Sequence, residues 1–330
     1  MKSNRLQSLD ALRGLAALSV VLFHYTVIVK RFIPGFIPPF TFTHGYYGVE
    51  LFFIISGFVI FMTLQRSNKG LDFVVSRFSR LYPAFWACVS LTFLVGIAFP
   101  LEGQHYTLGQ YVINLTMLQE YLKKPNIDGV YWSLTYELGF YFIMFIIFQL
   151  KQLKHIEKIC LFWALAPILF HYFYRYIPHP LHYLLLINKY AHLFAAGICF
   201  YLIKQTGFTL IRILILTATV LTQAIIAGWA SALLIFTFLL VFYFAMMGKI
   251  AILHFKPIVF IGVISYPLYL IHQMIGFKII DTLHNSLSLD PSSSILIALT
   301  IIIGAASSIS YLIEKPSTKL IRHDYLTLKK

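Results

Sequence analysis

The sequence predicts an all-α, polytopic membrane protein, a bundle of about ten transmembrane helices with both termini in the cytoplasm. Composition and residue order lead to this fold class. The 330 residues are 59% hydrophobic and only 12% charged, and the mean hydropathy is +0.79. The apolar residues form runs of about 20, the length that spans a bilayer as a helix. We therefore expect residues 1–330 to form one integral-membrane domain.

Hydropathy and helix-breaking residues place ten candidate spans along the chain. They are residues 9–29, 46–64, 81–99, 131–150, 159–177, 182–203, 209–226, 229–247, 258–280 and 294–313. The first apolar run is long and no small-residue cleavage pattern follows it, so we interpret it as a retained signal anchor.

The basic residues predict which ends of the spans face the cytoplasm. If the N-terminus lies inside, eighteen Lys and Arg residues fall in the inner segments. The outer segments then hold only Lys30, Arg31, Lys123 and Lys124. This distribution is the positive-inside pattern. The formal net charge of +14 is therefore mainly a signal of topology, and it does not require a nucleic acid partner.

The first span carries two residues that are unusual in a membrane helix, Arg13 and His24. Their spacing is about three helical turns, so both face the same way, roughly 16 Å apart along the helix axis. A charge and an imidazole are costly inside a membrane and mark a functional candidate. Asp10 can pair with Arg13 at the inner boundary. An arginine that only anchors the helix at the membrane surface is the open alternative.

The second span begins GVELFFIISGF, residues 48–58. This places Glu50 just inside the outer boundary, where it is either functional or an interfacial acid that faces water. Ser56 and Gly57 predict a close approach to a neighbouring helix.

The next stretch, LDFVVSRFSRLYP at residues 71–83, is typical of an amphipathic helix on the inner membrane surface. Arg77 and Arg80 share one face of that helix. Two guanidinium groups side by side suit a polyphosphate. Lipid headgroup binding is the alternative that the sequence leaves open.

The fourth span opens WSLTYELGFYF, residues 132–142. Because it enters from outside, Glu137 lies about two turns below the outer surface, near the depth of His24. A carboxylate at that depth can fix the tautomer of the histidine and raise its basicity. A purely structural His–Glu pair fits the sequence equally well.

The ninth span contains ISYPLYLIHQ, residues 264–273. Ser265, Tyr269 and His272 lie on one stripe of this helix. Pro267 is expected to kink the helix and to free a backbone carbonyl toward a cavity. His272 is either a site residue or a histidine buried for packing.

Taken in order, these stretches resemble acyltransferase family 3, a family of membrane enzymes, over essentially the whole chain. The resemblance is carried by LDALRGLAALSVVLFH, GVELFFIISGF, RFSRLYP, WSLTYE, SYPLYLIH and, at residues 311–316, YLIEKP. It implies ten helices and transfer of an acyl group, commonly acetyl, from cytoplasmic acyl-CoA to a carbohydrate hydroxyl outside the cytoplasm. Some members carry an extracytoplasmic hydrolase-like domain. We see no such domain in this sequence, so a separate extracytoplasmic partner is an open expectation.

The motifs and the resemblance together assign a role to each candidate residue. The catalytic pair is His24 and Glu137; acyl-CoA is bound by Arg13, Arg77 and Arg80; the substrates also contact Glu50, Trp132, Ser265, Tyr269 and His272. No metal is expected, because the three cysteines lie in apolar runs without ligand spacing. The expected setting is the bilayer of a bacterial inner membrane, with O-antigen, exopolysaccharide or peptidoglycan as acceptor.

Two mechanisms and a second function class remain open. His24 acts either as a general base oriented by Glu137, or as a nucleophile that forms an acyl-histidine. Intramembrane His, Glu and Arg residues also build proton relays. A proton-coupled transporter of a polysaccharide precursor is therefore the alternative to an enzyme.

Overall fold

The computed structural model describes residues 2–101, 103–176 and 190–328. Helices and short helical turns make up the regular structure of these residues, and no β-strand occurs among them. Eight helices in this part of the chain are long and apolar enough to cross a membrane. These findings confirm the predicted all-α class of polytopic membrane protein.

The α-helices are described here in chain order. They are α1 (Lys2–Thr26), α2 (Gly48–Leu64), α3 (Gly70–Ala98), α4 (Leu108–Leu115), α5 (Trp132–Gln149), α6 (Ile156–Phe173), α7 (Ala191–Thr206), α8 (Leu210–Ala227), α9 (Trp229–Met246), α10 (Lys256–Val263), α11 (Ser265–Ile271), α12 (Met274–Asp281), α13 (Pro291–Ile309) and α14 (Lys315–Leu328). Two π-helical turns, Thr282–Ser286 and Ser310–Glu314, follow α12 and α13.

The chain divides into two compact units, each of which combines distant parts of the sequence. The first unit comprises Met1–Leu12, Val49–Val74 and Leu134–Phe255, and the second comprises Arg13–Gly48, Val75–Ser133 and Lys256–Lys330.

In the first unit, α2 and α7 touch through two glycines. A Cβ atom on Gly57 would lie 2.2 Å from Phe194 O, and one on Gly197 would lie 2.0 Å from Ile54 O. Any larger residue would therefore force the two helices apart. This close approach confirms the prediction from the small residues of the GVELFFIISGF motif.

In the second unit, α1 packs closely against α10. A Cβ atom on Gly14 would lie 2.6 Å from Ile258 O and 2.7 Å from Gly262 N. The glycine of the LRG motif therefore lets the two backbones meet one residue after Arg13.

Residues 182–189 of the predicted sixth span lie outside the described part of the chain, and its remaining residues, 190–203, lie in α7 or directly before it. The structure corrects the ninth predicted span. The ninth span is not continuous but forms α10, α11 and α12, with breaks at Ile264 and at His272–Gln273.

A further correction concerns the predicted surface helix of residues 71–83. It is not a separate element, because α3 runs without interruption from Gly70 to Ala98 with Pro83 inside it. Proline has no N–H, so Pro83 leaves the carbonyl of Ser79 without its helical partner. Thr318 Oγ1 donates to Ser79 O at 2.7 Å and so satisfies this carbonyl.

Candidate active site

Two histidines from distant motifs meet in the second unit. His24 lies in the last turns of α1, and His272 directly follows α11. His24 Nδ1 and His272 Nε2 are 3.1 Å apart, and the two rings meet edge to face with centroids 4.8 Å apart. His272 is fully buried and His24 is partly buried.

The partners of the two rings define their neutral tautomers. His24 Nδ1 lies 2.8 Å from Val20 O, and His272 Nδ1 lies 2.8 Å from Tyr269 O. A carbonyl oxygen can only accept, so each Nδ1 carries the hydrogen. His272 Nε2 then has a free lone pair. The Nδ1–H of His24 donates to two acceptors, this nitrogen and Val20 O. His24 Nε2 is left unprotonated, and no described residue bonds to it.

Tyr25 and Gly276 fix the backbone of His272. Tyr25 is fully buried, and its hydroxyl donates to His272 O at 2.9 Å. A Cβ atom on Gly276 would lie 2.0 Å from that hydroxyl, so glycine is needed there. The pair of histidines is thus held by α1 on one side and by the start of α12 on the other.

Asp128 stabilises the second break of the ninth span. Its Oδ2 accepts from Met274 N at 3.1 Å and its Oδ1 accepts from Val130 N at 3.1 Å. The side chain is fully buried, and burial raises the pKa of this carboxyl to about 7. Sequence reasoning missed Asp128, because a lone Asp in a loop carries no signal of such a role.

Tyr269 and Ser133 connect the ninth span to the start of α5. Their hydroxyl oxygens are 2.7 Å apart, and Tyr269 also donates to Val130 O at 3.1 Å. Ser265 is fully buried and its Oγ has no partner among the described residues. Trp132, the first residue of α5, is partly buried. Tyr269 thus lies next to His272, with ring centroids 5.7 Å apart, and His272 in turn contacts His24.

The two predicted carboxylates lie in the first unit. Glu137 is partly buried in α5, where it accepts from Ser56 Oγ at 3.0 Å and from Tyr141 OH at 2.6 Å. Glu50 is buried in the first turn of α2, where the helix dipole stabilises a negative charge. Their predicted roles in catalysis and substrate binding stay predictions.

The predicted arginines have different surroundings within the second unit. Arg13 is partly buried on α1. Arg77 Nη2 donates to Ser76 Oγ at 3.1 Å. Arg80 forms an ion pair with Glu314, whose side chain is 1% exposed. Sequence reasoning missed this pair, although Glu314 belongs to the YLIEKP motif and lies in a π-helical turn, a feature frequent at functional sites.

A comparison with known families decides the class of the protein. The profile of a family described as "Acyltransferase domain" matches residues 6–313, nearly the whole chain. The chain belongs to acyltransferase family 3. This result confirms the resemblance seen in the motifs. The histidine pair, Glu137 and the arginine motif are therefore parts of an acyltransferase domain.

Curated relatives of this acyltransferase match it at low identity. Peptidoglycan O-acetyltransferase OatA of Listeria monocytogenes is 26% identical over 168 residues, which cover 45% of this chain and 25% of OatA. Acyltransferase MdmB of Streptomyces mycarofaciens is 29% identical over 178 residues, which cover 50% of this chain and 44% of MdmB. The chain thus spans less than half the length of these relatives. No solved structure matches it with significance.

Proposed function

We propose that the protein moves an acyl group, preferably acetyl, from cytoplasmic acyl-CoA to a hydroxyl of an extracytoplasmic or lipid-linked carbohydrate. The family match supports this function, and so does the 2.8 Å contact of His24 Nδ1 with Val20 O, which leaves Nε2 unprotonated; this contact is the observation on which the proposal rests most. The name of the Listeria relative favours an acceptor of the peptidoglycan or related envelope type. We place the enzyme in a bacterial inner membrane.

In the proposed reaction, His24 acts as a general base. Its Nε2 takes the proton of the acceptor hydroxyl while the hydroxyl oxygen forms a bond to the thioester carbonyl carbon. The C–S bond then breaks, and the proton passes from His24 Nε2 to the CoA thiolate, which leaves. The charge that His24 carries in between is stabilised at Nδ1–H, whose acceptors are Val20 O and His272 Nε2.

In this proposal His272 shares the orienting role that the sequence assigned to Glu137. Its neutral Nε2 accepts from His24 Nδ1–H, as an acceptor oxygen would in a catalytic triad. We therefore propose His272 as a positioning residue. Glu137 remains a proposed catalytic group, and its test is the loss of turnover in Glu137→Gln.

A covalent acyl-histidine is the competing route. In that route His24 Nε2 attacks the thioester itself, and the carbohydrate hydroxyl displaces the imidazole later. Exchange of label between acetyl-CoA and CoA in the absence of any acceptor, together with ping-pong kinetics, would favour this route. Sequential kinetics without exchange would support direct transfer.

The experiment that tests the function measures release of CoA from acetyl-CoA. The full chain is reconstituted in nanodiscs with a cell-envelope extract as the source of acceptor, and binding of acetyl-CoA is measured in parallel. His24→Ala should abolish turnover and retain binding. His105→Ala is the matched control, because His105 is an exposed histidine outside the helices. A fully active His24→Ala variant, or a wild type that fails to bind acetyl-CoA, would refute the proposal.

A further inference from the structure

Two guanidinium groups from distant parts of the sequence meet at one serine hydroxyl in the second unit. Arg77 Nη2 donates to Ser76 Oγ at 3.1 Å. Arg322 Nη2, from α14, donates to the same Oγ and to Ser76 O, each at 3.2 Å. Arg322 Nε also donates to Ser79 Oγ at 3.2 Å. The side chain of Arg322 therefore lies against the first turns of α3.

The charge of Arg322 has only neutral neighbours as hydrogen-bond partners. Among the described residues, these are the carbonyl and hydroxyl oxygens of Ser76 and the hydroxyl oxygen of Ser79. Arg322 lies beside the guanidinium of Arg77 and has no carboxylate among these partners, so its positive charge is stabilised when an anion binds. This arrangement is typical of a site for a phosphate group.

Ser76 can add a third donor to such a site. Its Oγ accepts from both arginines, which uses the two lone pairs of a hydroxyl and leaves its hydrogen free to donate. Among the described residues no group accepts that hydrogen. Arg322 is exposed, and Arg77 and Ser76 are partly buried. A ligand that comes from solution can therefore reach all three donors.

Arg80 does not contribute to this cluster in the way that the sequence predicted. Its guanidinium is bound to the buried carboxylate of Glu314, so the charge of Arg80 is compensated within the protein. A carboxylate beside the ligand would also repel a phosphate. The pair that suits a phosphate is therefore Arg77 and Arg322 rather than Arg77 and Arg80.

We propose that Arg77, Arg322 and Ser76 form a binding site for a phosphate monoester, the 3′-phosphate of the acyl-CoA donor. A monoester carries nearly two negative charges at neutral pH, which matches two guanidinium groups, whereas each phosphate of the CoA pyrophosphate carries one. This inference rests on the proposed acyl-CoA function and adds the C-terminal helix α14 to the donor site. A lipid headgroup is the other source of the same chemistry.

The test compares acetyl-CoA with acetyl-dephospho-CoA, which lacks only the 3′-phosphate. Dissociation constants of both are measured for the full chain in nanodiscs of zwitterionic lipid. The wild type should bind acetyl-CoA about tenfold or more tightly than the dephospho compound, as expected for charge-assisted hydrogen bonds. In Arg322→Gln the ratio should fall severalfold toward one, because only the compound with the phosphate loses affinity and Arg77 and Ser76 remain. Adenosine 3′,5′-bisphosphate should compete with acetyl-CoA in the wild type and more weakly in this variant.

Lys319→Gln is the matched control, because Lys319 is an exposed cation on the same helix. It removes one charge without touching Ser76 or Ser79 and should keep the wild-type ratio. Arg322→Lys should give an intermediate ratio, because it keeps the charge and loses the planar fork. The dissociation constants of the two compounds are compared within one preparation of each variant. A smaller folded fraction affects both measurements equally, so it does not change their ratio.

Two results would overturn the inference. The first is a wild type that binds both compounds equally, and the second is an Arg322→Gln variant that keeps the wild-type ratio. If equal binding is accompanied by competition between phosphatidic acid in the nanodisc and acetyl-CoA, the site belongs to a lipid headgroup. A wild type that binds neither compound would refute the proposed donor itself, and the inference with it.

Discussion

Replacing His272 tests whether the histidine pair works as a catalytic unit. The change is His272→Leu, which fills a similar volume and removes both ring nitrogens. We expect kcat for acetyl-CoA turnover to fall while KM for acetyl-CoA stays close to the wild-type value. The reason is that His272 contacts His24 and acts on the reacting group only through it.

The geometry gives the size of this effect. In His272→Leu, His24 Nδ1–H keeps its 2.8 Å bond to Val20 O, so the tautomer with a free Nε2 survives. Only the second bond, at 3.1 Å to His272 Nε2, is lost. A hydrogen bond to a group that becomes charged contributes about 1.5 to 3 kcal/mol. Because His24 Nδ1–H is shared between Val20 O and His272 Nε2, we expect the bond to His272 to contribute an energy at the lower end of this range. The expected loss is therefore about tenfold in kcat, against about 10²- to 10⁴-fold for a missing general base.

The assay is release of CoA from acetyl-CoA in nanodiscs, with His24→Ala as the lower reference. His272→Gln provides the control, because the side-chain amide oxygen of Gln can reach the position of Nε2 and accept from His24. Gln should therefore recover most of the activity that Leu loses, a rescue that a purely structural role would not show. The reasoning is refuted if Gln is no better than Leu, or if His272→Leu is as inactive as His24→Ala.

Two further predictions concern stability, measured as thermal unfolding in detergent. Burial raises the pKa of Asp128 to about 7, so the folded state binds a proton that the unfolded state has lost. Stability should therefore fall by about 2 kcal/mol between pH 5 and pH 7, and Asp128→Asn should flatten this slope; equal slopes would contradict the assignment. Arg212→Ala should cost about 1.5 to 3 kcal/mol, because it removes the bond of the buried Arg212 guanidinium to Glu157 at 2.6 Å and its bonds to the carbonyls of Leu202 and Gly207, whereas the exposed Arg66→Ala should be nearly neutral.

The helices and several candidate residues were predictable because each has a local signal. Apolar runs mark the spans, and a polar residue within such a run, like His24 or Glu137, stands out as costly in a membrane. Asp128 and Arg322 have no such signal. Each acts through a partner far away in the sequence, 146 positions from Asp128 to Met274 and 246 from Ser76 to Arg322. Helix periodicity likewise put Arg77 and Arg80 on one face, but it could not show that Glu314 binds Arg80.

The SYPLYLIH motif forms the short helix α11 and the residue after it, and a break in the helix lies at each end of α11. Pro267 cannot donate to Val263 O, so the preceding helix ends at Val263 and α11 begins at Ser265. At the other end, Met274 N donates to Asp128 rather than back into the helix.

Tyr25 stabilises the other side of the second break. Its hydroxyl donates a hydrogen bond to His272 O, a carbonyl that would accept from the N–H four residues later in an unbroken helix. A break inside a membrane helix is tolerated only where other groups satisfy the freed backbone atoms. Asp128 and Tyr25 do this, and they fix the backbone on both sides of His272. The break is therefore what brings the lone pair of His272 to His24 in one defined orientation, which a regular helix would not hold.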